Sequence, residues 1–258
     1  MEKLEKGMRF TVPTGWDMLT QEQLRRMLRL LGLYGDAPEW QDRVRLAALL
    51  HFCDIEASSR TDRGWLCRER GSGKTFLLDA GLLPDMLHHL DWLVETDGIS
   101  VRIERVGEYE ATDFKLRRLM FGDYLMADNY YQAFLTGKEN GALVALAKTL
   151  YGVPDGVQPE GFEGEVLTGA FFWFGAAKRL LAQWFPHFLK PATEQCTPVC
   201  QESQHDATQA QIRLLTKGDV TKQKYILEQT DTWTALAELD ALAREAEELK
   251  RKSTIRNS

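Results

Sequence analysis

The stretch that most constrains the fold is "VLTGAFFWFGAAKRLLAQWF", residues 166–185. It is apolar around nearly its whole circumference, with Phe171, Phe174, Lys178 and Leu181 on one side and Phe172, Trp173, Ala176 and Ala177 on another. A helix of that kind belongs in a core. Its most apolar part, Gly169 to Phe185, is interrupted by Lys178 and Arg179 and is too short to span a bilayer. A chain carrying such a helix must build other elements around it. With 258 residues, 44% hydrophobic and 27% charged, this one has the length and composition of an ordinary globular protein.

Around that helix the periodicity predicts a mainly α fold with a small β-hairpin or strand element, an α+β arrangement. The opening reads as a short extended piece (Met8 to Val12), a turn at Pro13, and a helix starting near Thr20. Thr20 and Gln23 have capping-box spacing, and Leu24, Met27, Leu28 and Leu31 form one stripe. A second core helix is expected from Trp40 to Ile55. The β element falls near 61–106, with two strands around Gly71-Ser72-Gly73 and a third at 99–109. A helix is expected over 83–95, another from a cap at Asp123 to about Leu135, and another over Ala142–Tyr151. Residues 152–165 carry the glycines and prolines of a loop.

After Pro191 the composition turns polar. The expected organisation is a globular body over 1–190, a polar linker over 191–206 and a helical C-terminal arm over 207–258. In the arm, Trp233, Leu236, Leu239, Ala246 and Leu249 make an apolar stripe suited to a partner groove or to self-association.

Charge and cysteine usage exclude some classes. Lys plus Arg number 32 against 38 Asp plus Glu, a net charge of −6, which disfavours a general nucleic-acid or anionic-membrane binder. Four scattered cysteines point to a reducing compartment, and the charged N-terminal residues do not read as a signal peptide. The expected location is the cytoplasm.

Two motifs invite chemistry. Gly71 to Thr75, "GSGKT", suggests a phosphate-binding loop in which Gly73, Lys74 and Thr75 would hold a nucleotide and its magnesium. The full pattern, however, wants glycine where Arg68 stands, an apolar strand before it and a long helix after it, and a hairpin turn accounts for the same residues. Cys196, Cys200 and His205, spaced C-x3-C-x4-H, could supply three zinc ligands, but a structural site needs a fourth and usually a tighter cysteine pair. His88 and His89, flanked by Asp85 and Asp91, cannot both face one site on a helix. No cofactor, metal or catalytic residue is therefore assigned.

Three segments carry a resemblance. "VPTGWDMLTQEQLRRMLRLL" matches openings of the form P-x-x-W-x-x-L-T-x-x-Q on Pro13, Trp16, Leu19, Thr20 and Gln23. "FGDYLMADNYYQAFLTGKENGALVALAKTLY" (121–151) and "GDVTKQKYILEQTDTWTALAELDALAREAEE" (218–248) match later segments of the same type. The sequence here resembles phage and prophage morphogenesis proteins of tail-assembly type from Bacteroidetes mobile elements. The resemblance implies a protein encoded among virion structural genes, a tail-assembly or related morphogenesis factor, and brings no catalytic residues. Joined to the C-terminal stripe, it gives the expectation of a non-enzymatic factor that contacts other phage-type structural or assembly proteins, or a second copy of itself, in the bacterial host cell or in the virion.

Overall fold

The computed structural model describes residues 10–35, 37–96, 99–189 and 201–256. They fall into two compact units: one runs to Ile103 and takes in Gly164–Gly169, and the other comprises Glu104–Glu163 with the chain from Ala170 onward. The architecture is mainly α with a small antiparallel sheet. No helix among the described residues is long and apolar enough to cross a membrane.

In the first unit, α1 (Gln21–Tyr34) starts at the expected capping box. Thr20 Oγ1 accepts from the Gln23 N–H at 3.2 Å, and Gln23 Oε1 accepts from the Thr20 N–H at 3.0 Å. Its stripe Leu24, Met27, Leu28 and Leu31 is buried. Helix α2 (Trp40–Phe52) buries Val44, Ala48 and Leu49. The sheet is a meander of β1 (Ile55–Thr61), β2 (Gly64–Glu69) and β3 (Thr75–Asp79), with Ile55 opposite Glu69 and Cys67 opposite Phe76. Gly64 sits at φ +153°, where an added Cβ would lie 2.0 Å from the Leu78 carbonyl oxygen, so no other residue fits there. The entry segment is held by two indoles: Trp16 Nε1 donates to the Trp92 carbonyl at 3.1 Å, and Trp92 Nε1 donates to the Pro13 carbonyl at 3.1 Å. The rings meet edge to face at 5.4 Å.

Several local expectations shift here. Strand β1 covers residues read as the end of a helix and a connector, because six of its seven side chains are exposed and carry no apolar alternation. The helix expected over 83–95 is α3 (Leu83–His88), followed by a 3-10 turn at Asp91–Leu93. Phe10–Pro13 form no strand, and Met8 lies outside the described residues.

In the second unit the strand expected over 99–109 shrinks to a two-residue hairpin, β4 (Arg105–Val106) with β5 (Tyr109–Glu110). Helix α4 (Phe121–Gly137) begins two residues before Asp123, which lies in its first turn and does not cap it. Helix α5 (Asn140–Leu150) follows, then the loop, then α6 (Glu165–Trp184). In α6, Trp173, Phe174, Ala177 and Leu181 are fully buried. Tyr131 of α4 stacks on Phe171 at 5.1 Å. Gly175 admits this contact, since a Cβ there would come within 2.8 Å of the Tyr131 hydroxyl oxygen.

The C-terminal helices correct the expectation of a tethered arm. Helix α7 (Gln201–Thr216) takes in the last residues of the expected linker, and α8 (Gln223–Gln229) and α9 (Thr232–Arg256) follow. The start of α9 is stitched to the start of α4. Phe121 N–H donates to the Thr230 carbonyl at 2.9 Å, and Thr232 gives both its N–H (2.9 Å) and its hydroxyl (2.8 Å) to the Leu119 carbonyl. Thr232, Leu236 and Leu239 are buried. Asp240 Oδ1 accepts the backbone N–H groups of His187 and Phe188 at 2.8 and 3.0 Å, tying α9 to the turn after α6. A leucine stripe reads the same whether its cover comes from its own chain or another, and here it comes from its own.

Deleting 207–258 is therefore expected to abolish the cooperative thermal transition and cause aggregation, because burying Leu236 and Leu239 contributes about 2–3 kcal/mol each. A soluble truncated chain that keeps its near-ultraviolet circular dichroism would show that α9 is dispensable to the core. Thr232→Val should lower stability by about 1 kcal/mol in denaturant melts.

Candidate functional site

The Gly71–Thr75 motif folds as the turn between β2 and β3. Glu69 N–H donates to the Lys74 carbonyl at 2.9 Å, and Gly73 N–H, at φ +71°, donates to the Glu69 carbonyl at 2.9 Å. The Lys74 N–H is taken by Ser72 Oγ at 3.2 Å, and Ser72 is in turn bonded to the Glu69 carboxylate. The Gly73 and Lys74 amides that would face a phosphate are thus used within the turn. A carboxylate lies in the same turn, and Thr75 opens a strand opposite Arg68 rather than a helix. The strand–loop–helix geometry that would let Gly73, Lys74 and Thr75 cradle a nucleotide does not form.

Cys196 and Cys200 lie outside the described residues, as does the side chain of His205, whose backbone belongs to α7. Among the described residues no group of three or more His, Cys, Asp or Glu side chains is placed to hold a metal ion. Burial pushes the Cys53 thiol up to about 11 and raises Cys67 as well, which keeps both protonated and poor as nucleophiles.

The histidines are divided among separate structural roles. His88 Nδ1 pairs with Asp91, which also pairs with Arg45, and Arg45 reaches Asp42 at 2.8 Å. His89, its neighbour, instead lines an open groove of about 360 Å³ in the first unit with Phe10, Val12, Phe76, Leu78 and Met86. His51 is lowered from its ordinary value by burial and then by the charges of Arg26 and Arg70. His187 Nδ1 lies 3.0 Å from Glu247. None forms a nucleophile–base pair with a described cysteine or serine.

The C-terminal stripe is split by the fold. Trp233 is half-buried and packs on Phe185 at 5.1 Å and on Trp184 at 5.6 Å. Leu236 and Leu239 are interior, whereas Ala246 is exposed and Leu249 is 67% exposed. Of the five residues expected to meet a partner, only the last two remain wholly at the surface. The structure adds three residues that sequence reading did not single out for binding. Trp184 is 54% exposed, Lys115 Nζ lies over its ring at 5.5 Å, and the Arg117 guanidinium lies over the Trp233 ring at 5.1 Å. The cationic run at 115–118 was visible in the sequence, but nothing local connects it to tryptophans so much later in the chain.

No family model matches the chain, and no curated protein or solved structure matches it.

Two outcomes test these assignments. Lys74→Ala should change stability by less than about 0.5 kcal/mol in denaturant melts, as for a solvated turn residue. Burial alone would raise the Asp91 carboxyl, but hydrogen bonds and charge from Arg45 and His88 outweigh it and hold it below its ordinary 3.8. A depressed carboxylate stabilises the fold above that value and loses the contribution as pH falls through the folded pKa. Acid melts of Asp91→Asn should accordingly be flatter below about pH 4 than those of the parent chain; parallel acid limbs would mean the Arg45–Asp91–His88 group contributes nothing to folding.

Proposed function

We propose that the protein is a non-enzymatic protein–protein interaction factor in phage-type virion or tail assembly. The observation that carries this reading is how the three resembling segments fold. Residues 12–31 form the Trp16 anchor and most of α1; 121–151 form α4 and α5; 218–248 form α8 and most of α9. The second and third are far apart in sequence, yet they are joined by the Met120–Asp231 bridge and by the Thr232 and Thr230 bonds to the start of α4. Resemblance falling on two segments of the second unit that are bonded to each other across the chain is what a shared scaffold would leave behind. Scattered coincidences would have no reason to sit on adjoining elements.

The surface left by that framework suits binding. Exposed Trp184, with cations over it and its neighbour Trp233, has the residue types that dominate binding energy at protein interfaces. Ala246 and Leu249 extend the exposed part of α9.

The test is affinity purification of the tagged full-length protein from its producing cells, with mass spectrometry of what accompanies it. The expected outcome is co-purification of proteins encoded among virion structural genes. Their absence from preparations that retain the folded chain would overturn the assembly reading.

A further inference from the structure

We infer that the Lys115–Arg117–Trp184–Trp233 face of the second unit binds an acidic segment of a partner protein. The inference rests on the partner-binding reading above and adds the site and the chemistry of what it takes.

The argument begins with how the cations are held. Residues 113–119 form an irregular segment whose backbone is fixed from both ends. Asp113 accepts the N–H groups of Lys115 at 2.9 Å and Arg118 at 3.2 Å, and the Leu119 carbonyl is held by Thr232. Between them Leu116, in the left-handed region at φ +55°, is completely buried. Lys115 is left half-buried and Arg117 and Arg118 exposed, on a segment that cannot easily rearrange.

Next comes charge. Among the described residues no carboxylate forms an ion pair with Lys115, Arg117 or Arg118. In a chain of net charge −6, three neighbouring cations against the single carboxylate of Asp113, which is bonded to backbone amides, are a local excess of positive charge. Lys115 and Arg117 make cation–π contacts over the two rings, and such a contact does not use up the N–H donors of an ammonium or guanidinium. A guanidinium stacked by its face still presents its planar edge, which matches a carboxylate with two hydrogen bonds. The half-exposed Trp184 ring beside them supplies apolar area at the centre of the patch.

This arrangement favours a carboxylate-bearing peptide over a nucleic acid. Base stacking needs an open indole face, and here each ring carries a cation over one face while the two rings pack on each other at 5.6 Å, which reduces the face left for a nucleobase. Carboxylates approach from the edge and displace nothing.

The experiment titrates the full-length chain with a fluorescein-labelled hexaglutamate peptide, followed by anisotropy, beside a labelled single-stranded DNA of equal charge. Saturable peptide binding that weakens with added salt is expected, with DNA weaker. Arg117→Glu should reduce peptide affinity by about tenfold or more, the equivalent of one lost charge pair. Arg60→Glu, the same charge change on exposed β1, should leave it unaltered, and circular dichroism confirms that each variant is folded. If Arg117→Glu misfolds, Lys115→Gln is measured in its place. No saturable peptide binding, or equal loss in Arg60→Glu, overturns the site. Tighter binding of DNA that Arg117→Glu removes overturns the choice of a protein segment. Self-association of the free chain that the same variant abolishes would replace the outside partner with a second copy. The peptide is synthetic, so failure here is separate from failure of the co-purification experiment.

Discussion

The apolar faces of α6 have to be covered, and from Ala170 onward the second unit is arranged to cover them. Trp173, Phe174, Ala177 and Leu181 are sealed completely, while Tyr124 and Tyr131 of α4 and Phe162 of the preceding loop meet neighbouring aromatic rings. Aromatic side chains take a large part in this burial, and their edge-to-face contacts add directional preference to the hydrophobic driving force. Glycine contributes by its absence of a side chain: Gly175 gives the Tyr131 hydroxyl room to approach the helix. Lys178, midway along this helix, is matched by Asp128 of α4 and lies over the Tyr131 ring. A charge interrupting so apolar a helix is tolerated because both its ion pair and its aromatic contact are provided.

That core is closed by residues from the far end of the chain. Thr232 is buried with its hydroxyl and amide both directed at one carbonyl, and Asp240 collects two amides from the turn after α6. Unpaired, these backbone groups would each cost the desolvation of a buried polar atom. Paired, they fix where α9 starts and which of its faces turns inward. The same fixing decides what remains outside, and so the surface proposed for binding follows from the closure of the core.

Much of the local structure was legible in the sequence. The capping box at Thr20 and Gln23, the hairpin around Gly71–Gly73, the loop after Gly152 and the stop of α6 near Pro186 all depend on residues within a few positions of one another. The misses share a cause. Strand β1 has no apolar alternation beyond its buried first residue, Ile55, and is a strand because β2 pairs with it. The 83–95 stretch keeps a helical apolar spacing, yet the chain turns at His89 and Leu90, and Leu90 and Leu93 are buried all the same. Asp123 looks like a cap, but α4 starts earlier because the Phe121 N–H is already taken by Thr230. "GSGKT" is compatible with two structures, and the strand that follows it selects the turn.

Of the four residues of the Lys115–Arg117–Trp184–Trp233 face, Trp233 alone was marked by the sequence, as one member of the α9 stripe. Periodicity places it on a stripe with Leu236 and Leu239; in the fold those leucines go to the interior and Trp233 goes to a cluster with Trp184, Phe185 and Arg117. Spacing along a helix determines which side chains share a face and that an apolar face must be covered. This much the amino-acid sequence settled by itself, because it rests on the geometry of one helix. Which element does the covering depends on contacts between segments many residues apart, each too weak to leave a local mark. Only the tertiary structure could bury Leu236, leave Leu249 in water, and set Lys115 and Arg117 over two tryptophans.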